Sequence, residues 1–314
     1  MDTQTAEGRK IPSINDTPKV GAWKGGFLLA RASWSTLKLD KELIAFPVLS
    51  AIVGALIAGT FIGILWITGL VPIDQFYAAS GTYEPGSVQI ISLVIYGFLM
   101  TVLSVAVNNY FGAALIACAL HRFRGNDPTV GYGLEKANKR FGSLLGFSLI
   151  SGTIGYIVKA LQKNDSIVSN IIGTIIGVAW AVASLFAVPV IVDSEKPVGP
   201  IEAIKGSANV LKKAWAQNVV GGLGMGVVFF LLFFAWLLVA VILNGLAFYT
   251  SPYILIGTIP VSIILLIVLN VVTSTLNSVF QAALYYYATS GDSPVNFDKG
   301  LLQAAFKPNP KHFI

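Results

Sequence analysis

Charge is what this sequence has least of. Asp, Glu, Lys and Arg make up 11% of its 314 residues, against about 25% in a soluble domain. That deficit excludes an ordinary soluble globular protein. There is one cysteine, Cys118, so the chain cannot build an internal disulfide framework. Its apolar surroundings mark it as a small packing residue. The two histidines, His121 and His312, have no HExxH partner and no second ligand at metal spacing, so neither a metal nor any other cofactor is expected. GxSxG, P-loop and Rossmann fingerprints are missing. Residues 1–19 carry no apolar h-region, so no cleavable signal peptide is expected.

What is present is apolar length. Hydrophobic residues make up 55% of the chain and the mean hydropathy is +0.74. Six stretches are long enough to cross about 30 Å of hydrocarbon at 1.5 Å per residue. They run over 43–70, 86–120, 141–156 or slightly beyond, 167–192, 218–247 and 254–287. The second, at 35 residues, exceeds what a crossing needs, so it tilts or projects beyond the bilayer. The expected fold is an all-α integral membrane protein with six transmembrane helices, arranged as three hairpins. None of the six stretches contains Asp, Glu, Lys, Arg or His. Coupled pumps and transporters usually place such groups in the membrane. Their absence argues against coupled transport and leaves a passive path open.

Each hairpin is expected to follow an amphipathic surface helix. In 22–37, Trp23, Phe27, Ala30, Trp34 and Leu37 recur at helical spacing, with Lys24, Arg31, Ser35 and Lys38 opposite. In the segment after 129, Val130, Leu134, Ala137 and Phe141 form the apolar side. After 200, Ile201, Ile204, Ala208, Leu211 and Trp215 do the same. Trp23, Phe27, Trp34, Leu211 and Trp215 are the candidate membrane-surface anchors.

Nineteen of the 21 Lys and Arg residues fall on one side if both termini share it, leaving only Lys159 and Lys163 for the other. The positive-inside rule then makes the termini cytoplasmic, in a multi-pass protein of the cell membrane. The same rule accounts for the net charge of +6, so no nucleic-acid partner is expected.

A pattern recurs in parallel. Phe111, Phe186 and Phe280 are followed by Pro128, Pro200 and Pro294 at spacings of 17, 14 and 14 residues. The chain therefore divides into a polar tail (1–21), a six-span membrane domain (22–290) and a second tail (291–314). The repeat units cover about 22–120, 129–192 and 200–290. They read as parallel repeats about an axis near the membrane normal.

The run Trp34-Ser35-Thr36-Leu37 with Asp40-Lys41-Glu42-Leu43-Ile44-Ala45-Phe46-Pro47 resembles an uncharacterised bacterial and archaeal family of six-span membrane proteins. So does Phe186 to Val192 with Gly199-Pro200. The resemblance implies a six-span fold and no activity. More distantly, the plan is similar to the membrane domain fused to some glycerophosphodiester phosphodiesterases, though no phosphodiesterase domain is present.

The polar content of the spans is neutral. Asn270, Ser274, Asn277 and Gln281 lie on one helical stripe, and Asn108 matches Asn277, each three residues before its Phe. Such amides serve as glue between helices, at roughly 0.6–2 kcal/mol each, or line a polar cavity. The pairs Gly59/Gly63, Gly142/Gly146, Gly173/Gly177 and Gly222/Gly226 suit close packing within the protomer. The expected function is that of a non-catalytic subunit or scaffold of a membrane complex, partnered by membrane lipids and another membrane or peripheral protein. The alternative is a passive lipid or small-solute conduit, or a lipid-binding membrane protein. An enzyme would have to draw on His121, Arg122, Arg124 and Asp127.

Overall fold

The structure, a computed structural model, describes residues 22–69, 86–163, 166–216, 223–294 and 297. Every regular element among them is helical. In chain order these are α1 (Ala22–Leu39), a 3-10 turn (Lys41–Ile44), α2 (Ala45–Thr68), α3 (Ser87–Phe123), α4 (Val130–Lys139) and α5 (Phe141–Gln162). Then follow α6 (Ile167–Ser184), α7 (Ala187–Asp193), α8 (Pro200–Ala216), α9 (Leu223–Thr250), a second 3-10 turn (Pro252–Ile254) and α10 (Leu255–Ser290). Six helical stretches among the described residues are long and apolar enough to cross a membrane, α6 and α7 together forming one of them. The protein is an all-α, multi-pass membrane protein.

The crossings alternate in direction, and side-chain contacts fix their register. Tyr156 donates its hydroxyl to the Val94 carbonyl at 3.1 Å, while Asn109 Nδ2 reaches Ser148 Oγ at 2.9 Å. α5 therefore runs antiparallel to α3. Between these two contacts, a Cβ on Gly152 would lie 3.0 Å from the Val102 Cα, so the backbones touch where only glycine fits. α6 returns along α5, with Gly173 against Leu161 and Gly177 against Val158. α9 and α10 are joined by Asn244, whose Nδ2 donates to Ser262 Oγ at 2.9 Å and whose Oδ1 accepts from Thr258 at 2.9 Å. That is the interhelical amide bonding a membrane interior favours.

The core is not at mid-span. Along α2, α9 and the first half of α3, large apolar side chains such as Leu56, Ile62, Ile91, Phe230 and Val241 are exposed, as lipid-facing residues must be. In α3 this changes at Ala113: every residue from there to Leu120 is buried. A helix apolar and buried all round is enclosed by protein. Its neighbours are α4, α7, the end of α10 and the start of α2. Phe46, Phe186, Leu29, Leu43 and Ile191 complete this core, each at most 1% exposed. At about 1.5–3 kcal/mol per large side chain removed from water, the fold is held chiefly here. This end also carries most of the basic residues, and we call it the basic end. The extra length of α3 is thus used for projection into a protein core.

The short helices meet the core differently from the expectation. In α1, Ala30 and Leu37 turn inward with Leu29, Ser33 and Thr36, whereas Phe27 and Trp34 are 62% and 40% exposed beside Arg31 and Lys38. The expected single apolar face is split because α1 packs on α9 and α10. In α8 the buried row is Ala203, Ser207 and Leu211, while Ile201 is 61% exposed. Leu211 therefore faces protein and not the membrane surface. The helix turns its small residues inward because α6 and α7 lie close against it. In α4, Gly133 and Ala137 are buried and Phe141, which follows it, is exposed. The side chains of Trp23 and Trp215, the tail 1–21, the loop 70–85, the start expected for the fifth span (218–222) and nearly all of 295–314 lie outside the described residues.

Candidate functional site

Two polar arrangements stand out, and they differ in kind. The first is a chain of ion pairs at the basic end. Arg122, in the last turn of α3, donates Nε to Asp40 Oδ2 at 2.6 Å and also bonds Asp127. Asp40 is only 6% exposed. Arg124 pairs with Asp193 at the end of α7, with Tyr285 of α10 beside that carboxylate. Arg140 donates to the Ser194 and Glu195 carbonyls. Glu42 accepts from the Val130 N–H at 3.3 Å, and Thr129 caps α4 by accepting from the Tyr132 N–H at 3.2 Å. Lys139 holds the exposed Glu135 carboxyl below its ordinary range, while burial raises the Tyr132 phenol.

These contacts tie one loop to the next. Arg122 and Arg124 are committed to carboxylates and His121 stacks on the Tyr132 ring at 4.1 Å. Arg122 brings Asp127 to itself, but His121 and Arg124 point to other partners. The four do not converge on one reacting position. No cluster of three or more metal-ligating side chains occurs among the described residues.

The second arrangement is a cavity of about 370 Å³ between α3, α5, α6 and α10, just where the helices pass from exposed spans into the buried core. Its polar lining is Asn108, Asn109, Ser151, Ser184, Ser278 and Gln281. Its apolar lining includes Val105, Phe147, Trp180 and Leu185. No charged side chain lines it. The cavity reaches the bundle surface, where Asn108 and Leu185 are exposed.

Much of the hydrogen-bonding capacity here is unused. Asn108 donates one N–H to the Ser104 carbonyl at 2.8 Å and accepts from Ser50 at 3.4 Å. Asn109 spends one N–H on Ser148. Ser184 donates back to the Trp180 carbonyl at 2.7 Å. The Ser151 hydroxyl is buried with no partner at all. An amide offers two donors and two acceptor lone pairs, so several donors and acceptors remain for a guest.

Gln281 stands at a break between α6 and α7. Pro189 has no N–H to return to the Leu185 carbonyl, and the side-chain amide of Gln281 donates there instead. The Phe186 N–H, freed by the same break, donates to Ser207 Oγ at 2.9 Å.

The predicted amide stripe does not act as one unit. Asn108 and Gln281 reach the cavity. Asn270 is exposed, with Nδ2 turned back to the Leu266 carbonyl at 3.0 Å. Ser274 and Asn277 are exposed as well. The stripe winds past the cavity: on α10 it is Ser278 and Gln281 that line the space. Ser151, Ser184, Ser278, Phe147 and Trp180 went unnoticed in the sequence. Three of the polar positions had a signal: Asn109, Ser184 and Ser278 each stand two residues before Phe111, Phe186 and Phe280.

The fold and this site define a six-span helical membrane protein with a neutral polar cavity. The chain belongs to the family of unknown function DUF6159, which matches residues 89–295. No curated protein and no solved structure matches it. The likeness in plan to phosphodiesterase membrane domains finds no support in these comparisons.

Proposed function

We propose that this protein is a non-catalytic membrane protein that binds the polar part of a lipid or small solute in the cavity between α3, α5, α6 and α10. The observation that carries the reading is the lining: six neutral polar side chains around about 370 Å³, with the amides of Asn109 and Gln281 only partly used in bonds within the protein. That volume lies within the range of small-molecule pockets. A space used only for helix packing would be closed by mutual hydrogen bonds, as Asn244, Thr258 and Ser262 are. The scaffold reading, with the surface helices and tails docking a partner protein, is the second reading, and no observation favours it separately.

On this reading the chain is three parallel repeats, with the cavity near their common axis. Asn109, Ser184 and Ser278 are its equivalent positions. The basic end and both termini face the cytoplasm of a cell-membrane protein. Phe27 and Trp34, interleaved with Arg31 and Lys38 on the exposed side of α1, sit at headgroup depth.

The test is retention of a bound molecule. The full chain, purified from its membrane in mild detergent, should carry a co-purifying lipid or solute detectable by native mass spectrometry. Ser151→Leu fills the cavity without abandoning a partner, and it should lose that molecule while keeping its elution profile. A wild-type protein with an empty cavity, or equal retention by the filled variant, would overturn the reading.

A further inference from the structure

The chemistry of the lining narrows the ligand, given the binding reading above. We infer that the cavity takes the uncharged, hydroxyl-bearing headgroup of a membrane lipid, a glycerol hydroxyl or a sugar, in preference to a phosphate or an amine.

Charge comes first. A phosphate withdrawn from water needs a cation or several converging N–H donors. The cavity offers no Lys or Arg. The nearest guanidiniums by sequence are occupied at the basic end: Arg122 by Asp40 and Asp127, Arg140 by the Ser194 and Glu195 carbonyls, and Arg124 by Asp193. An ammonium needs a carboxylate, and none lines the space. A hydroxyl needs neither. It donates once and accepts twice, which complements amides and serines presenting both kinds of group.

The remaining valences have that mixed character. Asn109 retains one N–H and its carbonyl oxygen after bonding Ser148. Gln281 retains the same pair after capping Leu185. Ser278, which also lines the space, takes no part in these bonds. Phe147 and Trp180 line the same space, stacked with ring centroids 6.2 Å apart and an interplanar angle of 23°. An aromatic face on this lining can pack against the C–H face of a sugar or glycerol while its hydroxyls turn to the amides. Exposed Leu185 at the mouth leads to the lipid-facing surfaces of α6, where acyl chains can lie.

The experiment is a competition. The full chain is reconstituted with equal amounts of diacylglycerol, monoglucosyl-diacylglycerol, phosphatidylethanolamine and phosphatidylglycerol, plus millimolar free glucose. It is then re-extracted and its bound molecules are identified by native mass spectrometry. The expected result is enrichment of diacylglycerol or its glucosyl form by tenfold or more over phosphatidylglycerol. The preference between those two identifies the headgroup. Equal or greater retention of either phospholipid overturns the inference while leaving a lipid-binding cavity intact. Bound glucose without lipid overturns the lipid assignment. Retention of nothing overturns both this inference and the binding reading. Ser278→Lys is the second arm, since Ser278 has no bond to lose. It should shift retention toward phosphatidylglycerol by tenfold or more, and an unchanged ratio would place the bound lipid elsewhere.

Discussion

Replacing Gly133 by Ala tests how α4 is seated on the core. A Cβ at this position would lie 2.6 Å from Phe46 Cζ, 2.7 Å from the Ala114 carbonyl oxygen and 2.7 Å from Cys118 Sγ. None of the three can yield cheaply. Phe46 is 0% and Cys118 1% exposed, so each is locked by its own neighbours. The Ala114 oxygen belongs to the α3 backbone. A carbon sits about 3.3 Å or more from a carbonyl oxygen, so α4 must back away from α3 by roughly half an ångström. Overpacking of this kind costs about 1–3 kcal/mol. Against it stands the gain of about 1 kcal/mol from replacing glycine in a helix.

The net effect is a loss of up to roughly 2 kcal/mol. At about 2 °C per kcal/mol or a little less for a chain of this size, Tm should fall by up to about 4 °C. Gly131, two residues earlier in the same helix, supplies the control. Its Cβ would meet only Thr129 Oγ1, at 3.8 Å. Gly131→Ala should therefore hold or raise Tm. The assay is thermal unfolding of detergent-purified protein at one scan rate, because membrane proteins often melt irreversibly. Equal stabilisation by both substitutions would refute the docking of α4 on α3.

Two further outcomes follow from the same structure. Cysteines at Ser166 and Asn209, both exposed, should label from opposite sides of an intact membrane in a Cys118→Ala background, and labelling from one side alone would contradict the alternating crossings. Asp40→Ala leaves Arg122 without its main carboxylate and should cost about 2–3 kcal/mol, less than for full burial because Arg122 is 28% exposed; Asp40→Leu with Arg122→Met should recover most of that stability in the same melting assay.

The fold was legible because bilayer thickness and charge asymmetry act on whole segments. Six uncharged stretches could be nothing but crossings, and their ends were placed within a few residues, apart from 218–222. The excess length of the second stretch was visible, though what it enters was not: burial of Ala113 to Leu120 depends on α4, α7 and α10 meeting there. Helix faces were less legible. In α8 the apolar period points to Ile201, Ile204, Ala208 and Leu211, yet Ala203 and Ser207 are buried because close approach to α6 and α7 selects small side chains over apolar ones. The ion pairs escaped for another reason. Asp40 and Arg122 are 82 positions apart, and nothing local joins them. The cavity was half legible. Asn108 and Gln281 drew attention as amides in apolar runs, whereas Ser151, Ser184 and Trp180 look like ordinary span residues until four helices converge on them.

Gln281 links the break in the α6–α7 crossing to the cavity, and that link can be measured. Its amide donates to the Leu185 carbonyl, which lacks a helical donor because residue 189 is proline. Gln281→Leu should therefore strand a carbonyl and cost about 1–3 kcal/mol. Pro189→Ala provides an N–H four residues beyond Leu185, the normal helical donor for that carbonyl. In the Pro189→Ala background the loss on Gln281→Leu should shrink to about 1 kcal/mol or less. Neighbours sharing one acceptor are non-additive, and a double-mutant cycle isolates the coupling. Each variant is melted in detergent, with bound lipid quantified alongside. Full additivity of the two substitutions would show that the side chain does not substitute for the missing backbone donor. Coupling in stability together with loss of bound lipid in Gln281→Leu would show that one amide serves both the helix break and the ligand.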